Sequence, residues 1–272
     1  MGKNGWRTKR GKGGAEASSS LPVPPTAPPA PPSLENAKEV IDVRLEIARR
    51  AQLATEETEN GNEAFDRNDM ESALLHFDAA LKVVPRHVGA LGNRANVKIT
   101  MGDFEGCIVD TSMLIKLSQN RGIKTVEEKF NLAVVRYTQA EAYFHLKSFY
   151  KSLGDCDNAL ELWPSFGEAL CLRGATHNAL GSFKVALKDL NSSIDLKPSY
   201  AMAYRHRGIC LCCLKKFAAS TKDLEQALML DANDEAAKAW FEKARNELRV
   251  EEQGKIVRVT KRQAGKACLA CI

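Results

Sequence analysis

The sequence has no long apolar run, and no segment reaches the roughly 18 consecutive apolar residues that a membrane-spanning helix needs. No apolar stretch follows the basic, glycine-rich residues 1–14, as it would in a secretory signal. The 8 cysteines lie at scattered positions and in one tail, without the dense framework of a small secreted domain. We therefore expect reduced thiols and an intracellular protein, cytoplasmic in the first instance, with the nucleus as the alternative.

Recognisable catalytic motifs are also lacking. There is no Walker loop, no HExxH segment and no ordered Cys, His and Asp triad. Cys210, Cys212, Cys213 and His206 are close in sequence, but on a helix Cys212 points away from the other two thiols and no second ligand pair follows. Small core thiols are the favoured explanation. We predict no enzyme activity, no cofactor and no metal.

Basic residues are concentrated at the two ends of the chain, whose formal net charge is +5. Residues 1–33 contain five cations and one acid, and residues 255–272 contain five cations and no acid. The body between them is therefore mildly acidic, with a net charge of −4. A nucleic-acid-binding face normally places lysine and arginine on the folded body, so we expect nucleic acid to be a disfavoured partner.

A change of composition separates an N-terminal arm from a helical body. Residues 15–33 hold most of the 10 prolines and almost no large apolar side chains, so they cannot bury enough surface to offset the entropy of ordering. We predict a disordered arm over residues 1–33 that acts as a spacer. From Leu34 to about Gln253 an apolar side chain recurs every three or four positions, which predicts an all-α body.

One short pattern recurs within this helical run. A phenylalanine followed six residues later by an aspartate occurs at Phe104, Phe149, Phe183 and Phe217. The last two intervals are 34 residues long, and the first is 11 residues longer. Repeat starts at residues 54, 88, 133, 167 and 201 bring the other columns of the pattern into register.

Two of these columns hold only small residues, as two helices in close contact require. The column at position 8 comprises Gly61, Ala95, Ala140, Gly174 and Gly208. The column at position 20 comprises Ala73, Cys107, Ser152, Ala186 and Ser220. Position 32 is proline in three repeats, where it ends the second helix, at Pro85, Pro164 and Pro198.

These columns resemble the tetratricopeptide repeat family, whose pattern has a small residue at position 8, alanine at 20, an aromatic or apolar residue at 24 and proline at 32. The resemblance implies an α-α superhelix of about five helix-turn-helix repeats with flanking helices. Two features depart from the pattern: the usual tryptophan near position 4 is absent, and about 11 extra residues, 122–132, follow the second repeat. Whether these extra residues extend helices or form a loop stays open.

The predicted organisation is an N-terminal helix over 34–53, a repeat domain over 54–253 and a basic flexible tail over 254–272. Trp240, Phe241 and Leu248 follow the last repeat at amphipathic spacing, which predicts a helix that shields it from water. The repeats and this capping helix cover residues 54–87, 88–121, 133–166, 167–200, 201–234 and 235–253.

In this family the first helix of each repeat lines a concave groove, and positions 2, 5, 6, 9, 12 and 13 point into it. The resemblance therefore implies a scaffold or adaptor that binds a peptide or a helix of a partner protein. Amides and hydroxyls at these positions can pair with the backbone of an extended peptide. The candidate groove residues are Thr58, Asn62, Asn93, Asn96, Tyr137, Glu141, Arg205 and His206.

A narrower alternative is a co-chaperone that grips the C-terminal carboxylates of heat-shock chaperones. Family members of this kind combine asparagines with cations, and Asn62 and Asn93 occupy the asparagine positions. Thr58, Val134 and Thr138 stand at the positions of the cations, so the set of side chains that would clamp the carboxylates is incomplete. Carboxylates that lose their water need charged partners, which two amides do not supply.

The basic ends offer an alternative from another class. Cys268 and Cys271 stand beside five cations and could accept palmitoyl chains, with the cations held by anionic lipid. A solvated tail is the favoured explanation, and a membrane- or RNA-associated factor recruited by its basic ends stays the alternative. Binding through the ends would fall steeply with salt, whereas groove binding would persist.

Overall fold

A computed structural model describes residues 34–269, with side-chain surroundings for residues 38–255. Within this described range helices are the only regular structure, so the predicted all-α fold is confirmed. The helices are α1 (Leu34–Asp66), α2 (Met70–Val83), α3 (Val88–Met101), α4 (Phe104–Arg121), α5 (Val126–His145), α6 (Phe149–Leu162), α7 (Gly167–Ala179), α8 (Phe183–Leu196), α9 (Ala201–Cys213), α10 (Phe217–Leu230) and α11 (Glu235–Leu269).

Two units are distinguished along the chain, Met1–Leu45 and Glu46–Ile272. The described part of the first unit is the beginning of α1, where Val40, Ile41 and Val43 are each at least half exposed. All the hairpins belong to the second unit. Helix α1 is continuous, so the N-terminal helix expected over 34–53 and the first helix of the first repeat are one element.

The second unit is a stack of helical hairpins. In the hairpins that follow the first, α3 packs on α4, α5 on α6, α7 on α8 and α9 on α10, and each second helix also packs on the first helix of the next hairpin. Successive first helices α3, α5, α7 and α9 touch one another, whereas successive second helices in the described range do not. The first helices therefore form the inner layer of the stack and the second helices form the outer layer.

Glycine at position 8 allows the two helices of a hairpin to approach. A Cβ atom on Gly174 would lie 2.7 Å from Leu190 Cγ and 3.2 Å from the carbonyl oxygen of Ala186, and a Cβ on Gly208 would lie 2.6 Å from Leu224 Cγ. Leu190 and Leu224 are fully buried at position 24, so they have no room to move aside. The small columns thus pack as the sequence predicts.

The turn inside every hairpin has one residue with a left-handed backbone, always at position 15. The φ angles are 62° at Asn68, 82° at Gly102, 56° at Lys147, 74° at Gly181 and 59° at Lys215. A left-handed residue after the first helix reverses the chain and satisfies the last carbonyl groups of that helix. The position-15 turn therefore ends the first helix one or two residues earlier in every repeat, at position 13 or 14.

The extra residues 122–132 divide between a short link and a helix. Helix α5 begins at Val126, ahead of the repeat start at 133, because Thr125 and Glu128 form a capping box. The Glu128 carboxylate accepts hydrogen bonds from the backbone N–H groups of Lys124 and Thr125, at 2.7 and 3.0 Å, and these bonds lower its pKa. Helices α4 and α5 pack on each other, so the stack continues through this region.

Helix α11 lies at the end of the stack. Its buried Ala237 and Ala244 belong to one apolar cluster with Leu224, and Trp240 and Phe241 pack against that cluster. The helix continues to Leu269, so the backbone is helical over 254–269, where the sequence predicts a flexible tail. This segment contains no proline that would end a helix. None of the described helices is both long enough and apolar enough to cross a membrane.

Candidate partner-binding groove

The inner layer presents one surface that crosses all the hairpins, which we call the groove face. It consists of positions 2, 5, 6, 9, 12 and 13 of the first helices, counted from Ala54, Val88, Ala133, Gly167 and Ala201. Its side chains are mostly exposed in the first two repeats and mostly half-buried in the last three.

Three asparagines form an amide cluster at the first two repeats. Asn93 Nδ2 donates a hydrogen bond of 2.6 Å to Asn62 Oδ1, which joins two neighbouring hairpins. Asn96 is exposed one turn further along α3, and the three amides share a recess with Phe65 and Asp66. Each amide retains donors or acceptors beyond this one bond, so the cluster can pair with a peptide backbone.

A second recess continues from the amide cluster toward α5. It is lined by Gly89 and Gly92 on one side and by Val134 on the other, and it shares Asn93 and Asn96 with the first recess. Because glycine has no side chain, the backbone of α3 is open to a ligand at this point. The two recesses meet at Asn93 and Asn96, and residues of the first three repeats line them.

The hydroxyl groups of two groove-face threonines form hydrogen bonds within their own helices. Thr58 is buried, and its hydroxyl donates to the carbonyl oxygen of Ala54 at 2.7 Å and lies 3.3 Å from His87 Nδ1. Thr138 is also buried, and its hydroxyl donates to the carbonyl oxygen of Val134 at 3.1 Å. Of the predicted groove residues, Thr58 is thus a support for the turn before α3, and a ligand-binding role for it stays a prediction.

Tyr137 and Glu141 lie one turn apart on α5 and are half-buried. Burial raises the pKa of the Glu141 carboxyl, and a hydrogen bond with the Tyr137 side chain opposes this rise. Burial, followed by the charge of Glu141 and the neighbouring Tyr200, raises the pKa of Tyr137. No cation forms an ion pair with Glu141 among the residues whose side chains are described.

Arg205 and His206 lie at the far end of the groove face. Arg205 Nη1 donates to Asp234 Oδ2 at 2.9 Å, and Asp234 Oδ1 accepts the backbone N–H of Ala237 at the start of α11. Burial, followed by the charge of Arg205, lowers the pKa of His206 to about 3. His206 is therefore neutral at physiological pH, and Arg205 is already paired.

The aspartates at position 23, which the sequence reveals as a column, bind arginine. Arg173 makes two hydrogen bonds of 2.8 Å with Asp189 of its own hairpin and one of 2.7 Å with Asp157 of the preceding hairpin. Arg94 repeats this arrangement with Asp110 and Asp78. Arg207 binds Asp223 in the same way, and its contact in the preceding hairpin is the amide oxygen of Asn191. We name these contacts the arginine ladder. Its sequence signal is arginine at position 7 with aspartate at position 23, and its role is structural.

The cysteines predicted as core thiols are mostly buried. Cys210 lies with its sulfur 3.3 Å from the carbonyl oxygen of Phe183, Cys212 is buried and Cys213 is exposed. Burial raises the pKa of the Cys210 thiol to about 11, so it stays protonated and unreactive. Of the two tail cysteines, Cys271 lies outside the described residues, as does the side chain of Cys268.

This geometry defines a class of protein: a solenoid of helical hairpins whose first helices form a continuous inner face. Solved structures share it. The chain is similar to a tetratricopeptide repeat protein from Parabacteroides merdae, with a TM-score of 0.55 and 17% identity over 77% of this chain and 80% of that one. It is also similar to the MamA protein, with a TM-score of 0.53 and 17% identity over 66% of this chain and 93% of that one.

Two sequence relatives agree with the fold. Tetratricopeptide repeat protein 36 of Danio rerio is 36% identical over 62 residues, which are 23% of this chain and 33% of that protein. Hsp70-Hsp90 organizing protein 1 of Glycine max is 38% identical over 58 residues, 21% of this chain and 10% of that protein. The chain thus spans a third of the first relative and a tenth of the second. No family model matches the sequence. The fold is that of tetratricopeptide repeat proteins, as the repeat columns predict.

Proposed function

We propose that this protein binds a segment of a partner protein along the groove face and performs no chemistry of its own. The observation that supports the proposal is the amide cluster of Asn62, Asn93 and Asn96, which opens onto two joined recesses. Amides spaced along stacked helices can hydrogen-bond to successive peptide groups of an extended ligand, while the recesses accept its side chains. Solenoids gain affinity in this way from a long surface of modest contacts.

A photo-crosslinking amino acid placed at exposed Asn96 tests this proposal in the full chain. We expect partner adducts from Asn96, and none from the matched outer position Lys188, which is exposed on α8. Asn93→Ala should weaken the adducts several-fold, because it removes the bond that orders Asn62. Adducts of equal yield from both positions would show that binding does not use the groove face.

A chaperone ligand is the second candidate, favoured by the similarity to the Hsp70-Hsp90 organizing proteins, whose name refers to two heat-shock chaperones. Asn62 and Asn93 suit a peptide carboxylate. The cation positions of a carboxylate clamp hold buried Thr58 and Thr138 with half-buried Val134, and Arg205 is paired elsewhere. We therefore place chaperone association through an acidic C-terminus behind binding of a non-acidic segment.

A further inference from the structure

The groove face carries more carboxylates than cations. Its positions include Glu59, Asp66, Glu141 and Glu168, and the one cation among them is Arg205. Glu168 is paired with Lys197 at 2.5 Å, and Arg205 is paired with the cap residue Asp234.

Apart from these two ion pairs, the charged side chains of the groove face are all negative. Glu59, Asp66 and Glu141 have no cation partner among the residues whose side chains are described, and no unpaired lysine or arginine stands at a groove-face position. Aligned charges of one sign along a concave surface attract counter-charged ligands and repel others. The negative charges of the groove face therefore repel an acidic partner segment.

Glu141 is the residue at which this charge is least solvated. It is half-buried near the middle of the stack, between the amide cluster and the Arg205–Asp234 pair. A carboxylate that has lost water and has no cation is a costly group, as the raised pKa of Glu141 also indicates. A ligand cation at this place would restore the lost interaction, so binding energy is concentrated there.

Aromatic groups near Glu141 suit the same kind of ligand. Tyr137 precedes it by one turn on α5, and Tyr200, which directly precedes α9, lies near both Tyr137 and Glu141. Tyrosine rings attract lysine and arginine side chains through their faces, and the apolar stems of these side chains pack on the rings. The surroundings of Glu141 thus accept a long cationic side chain, whereas the Glu141 carboxylate repels an anionic one.

We propose that the partner segment is basic, with a lysine or arginine side chain that binds Glu141 beside Tyr137 and with further cations directed toward Glu59 and Asp66. This inference rests on the proposed function, because it assigns a chemistry to the ligand of the same groove. It opposes the carboxylate clamp directly, since that alternative requires an acidic ligand.

Three capped peptides of one sequence test the inference on the full chain. They carry Lys, Gln or Glu at the same three positions, and binding is followed by fluorescence anisotropy. We expect the Lys peptide to bind about tenfold or more tightly than the Gln peptide, and the Glu peptide to bind most weakly. Glu141→Gln, which keeps the shape of the side chain, should weaken the Lys peptide by about tenfold.

The matched control is Glu225→Gln, which removes an exposed carboxylate from the outer helix α10 and should leave the affinity unchanged. The inference is wrong if the Glu peptide binds best, or if Glu141→Gln and Glu225→Gln weaken the Lys peptide equally. Either result leaves groove binding intact, provided that a crosslinker at Asn96 still captures the bound peptide. If none of the three peptides binds and Asn96 captures none of them, both the inference and the proposed function are wrong.

Discussion

Arginine at position 7 joins two hairpins through a single side chain. Arg173 holds buried Asp189 with two parallel hydrogen bonds and exposed Asp157 with one. The two-pronged bond to Asp189 fits the planar guanidinium and offsets the loss of water from the carboxylate. The arginine ladder therefore ties the second, fourth and fifth hairpins to the hairpin before each of them.

Asp189→Ala tests the ladder at its buried contact. We expect it to lower the free energy of unfolding by about 2–3 kcal/mol, because Arg173 would lose its charge partner in a half-buried place. Asp157→Ala removes a contact of the same arginine at an exposed carboxylate and should cost under about 1 kcal/mol. Thermal and urea unfolding followed by circular dichroism would measure both. Equal losses would mean that the buried contact has no special role.

For single residues, the sequence predicts those that pack better than those that bind. Gly174 and Gly208 are predictable because a single atom added at either would collide with a buried leucine. The role of Thr58 is not predictable in this way. Its place in the repeat puts it on the groove face, but its hydroxyl bonds to its own helix and lies beside His87. Periodicity identifies the face of a helix but gives no information about which neighbour covers each side chain.

Among the structural elements, the turn at position 15 is the most regular feature of the hairpins. Two repeats fill it with Gly102 and Gly181, whereas Lys147 and Lys215 adopt the same left-handed backbone with a full side chain. A non-glycine residue in this conformation costs about 1–2 kcal/mol, because its Cβ approaches the following carbonyl oxygen. The third and fifth hairpins therefore contain a local strain that the second and fourth do not.

Lys215→Gly should relieve this strain. We expect a gain of about 0.5–1 kcal/mol in the free energy of unfolding, since part of the relief is offset by the greater freedom of glycine in the unfolded chain. Lys215→Ala is the control, because it removes the lysine side chain and keeps the Cβ atom that causes the strain. Melting temperatures of the two variants would decide the point. A loss of stability in Lys215→Gly would contradict the strain assigned to this turn.

The lengths of the elements show where sequence reasoning fails. The repeat columns predict the hairpins α7–α8 and α9–α10, because each hairpin falls within one predicted repeat, 167–200 or 201–234. The early start of α5 depends on the capping box of Thr125 and Glu128, a local signal that lies outside the repeat pattern. The continuity of α1 and α11 is likewise invisible to the columns, because nothing in the repeat pattern marks where a flanking helix must end.

At the scale of the second unit, each hairpin contacts only its neighbours, so its stability is close to a sum of local terms. Such stacks open from their ends, where one side of a hairpin has no neighbouring hairpin. Here the last hairpin is covered by α11, whose Ala237 and Ala244 are buried beside Leu224. The strength of the attachment of α11 therefore decides how easily this end of the stack opens.

Asp234 adds polar contacts to the apolar packing that attaches α11. Its carboxylate accepts the backbone N–H of Ala237 at 2.9 Å and the Arg205 guanidinium at 2.9 Å, so it caps α11 and ties it to α9 at once. Sequence columns place Asp234 in the last position of a repeat and predict no partner for it. The pairing follows only from the packing of α11.

Asp234→Ala should loosen this end of the stack and leave the rest unchanged. We expect a loss of about 1–3 kcal/mol in the local opening free energy, which combines a helix cap with a partly buried ion pair. Amide hydrogen exchange should become at least about tenfold faster over α9, α10 and the start of α11, because about 1.4 kcal/mol corresponds to a factor of ten. Exchange in α3 to α6 should not change, since those hairpins keep their neighbours.

Asp231→Ala is the control, because Asp231 is exposed and its side chain accepts only the nearby N–H of Asn233. Faster exchange throughout the second unit would mean that its hairpins unfold together and that the local description of the stack is wrong.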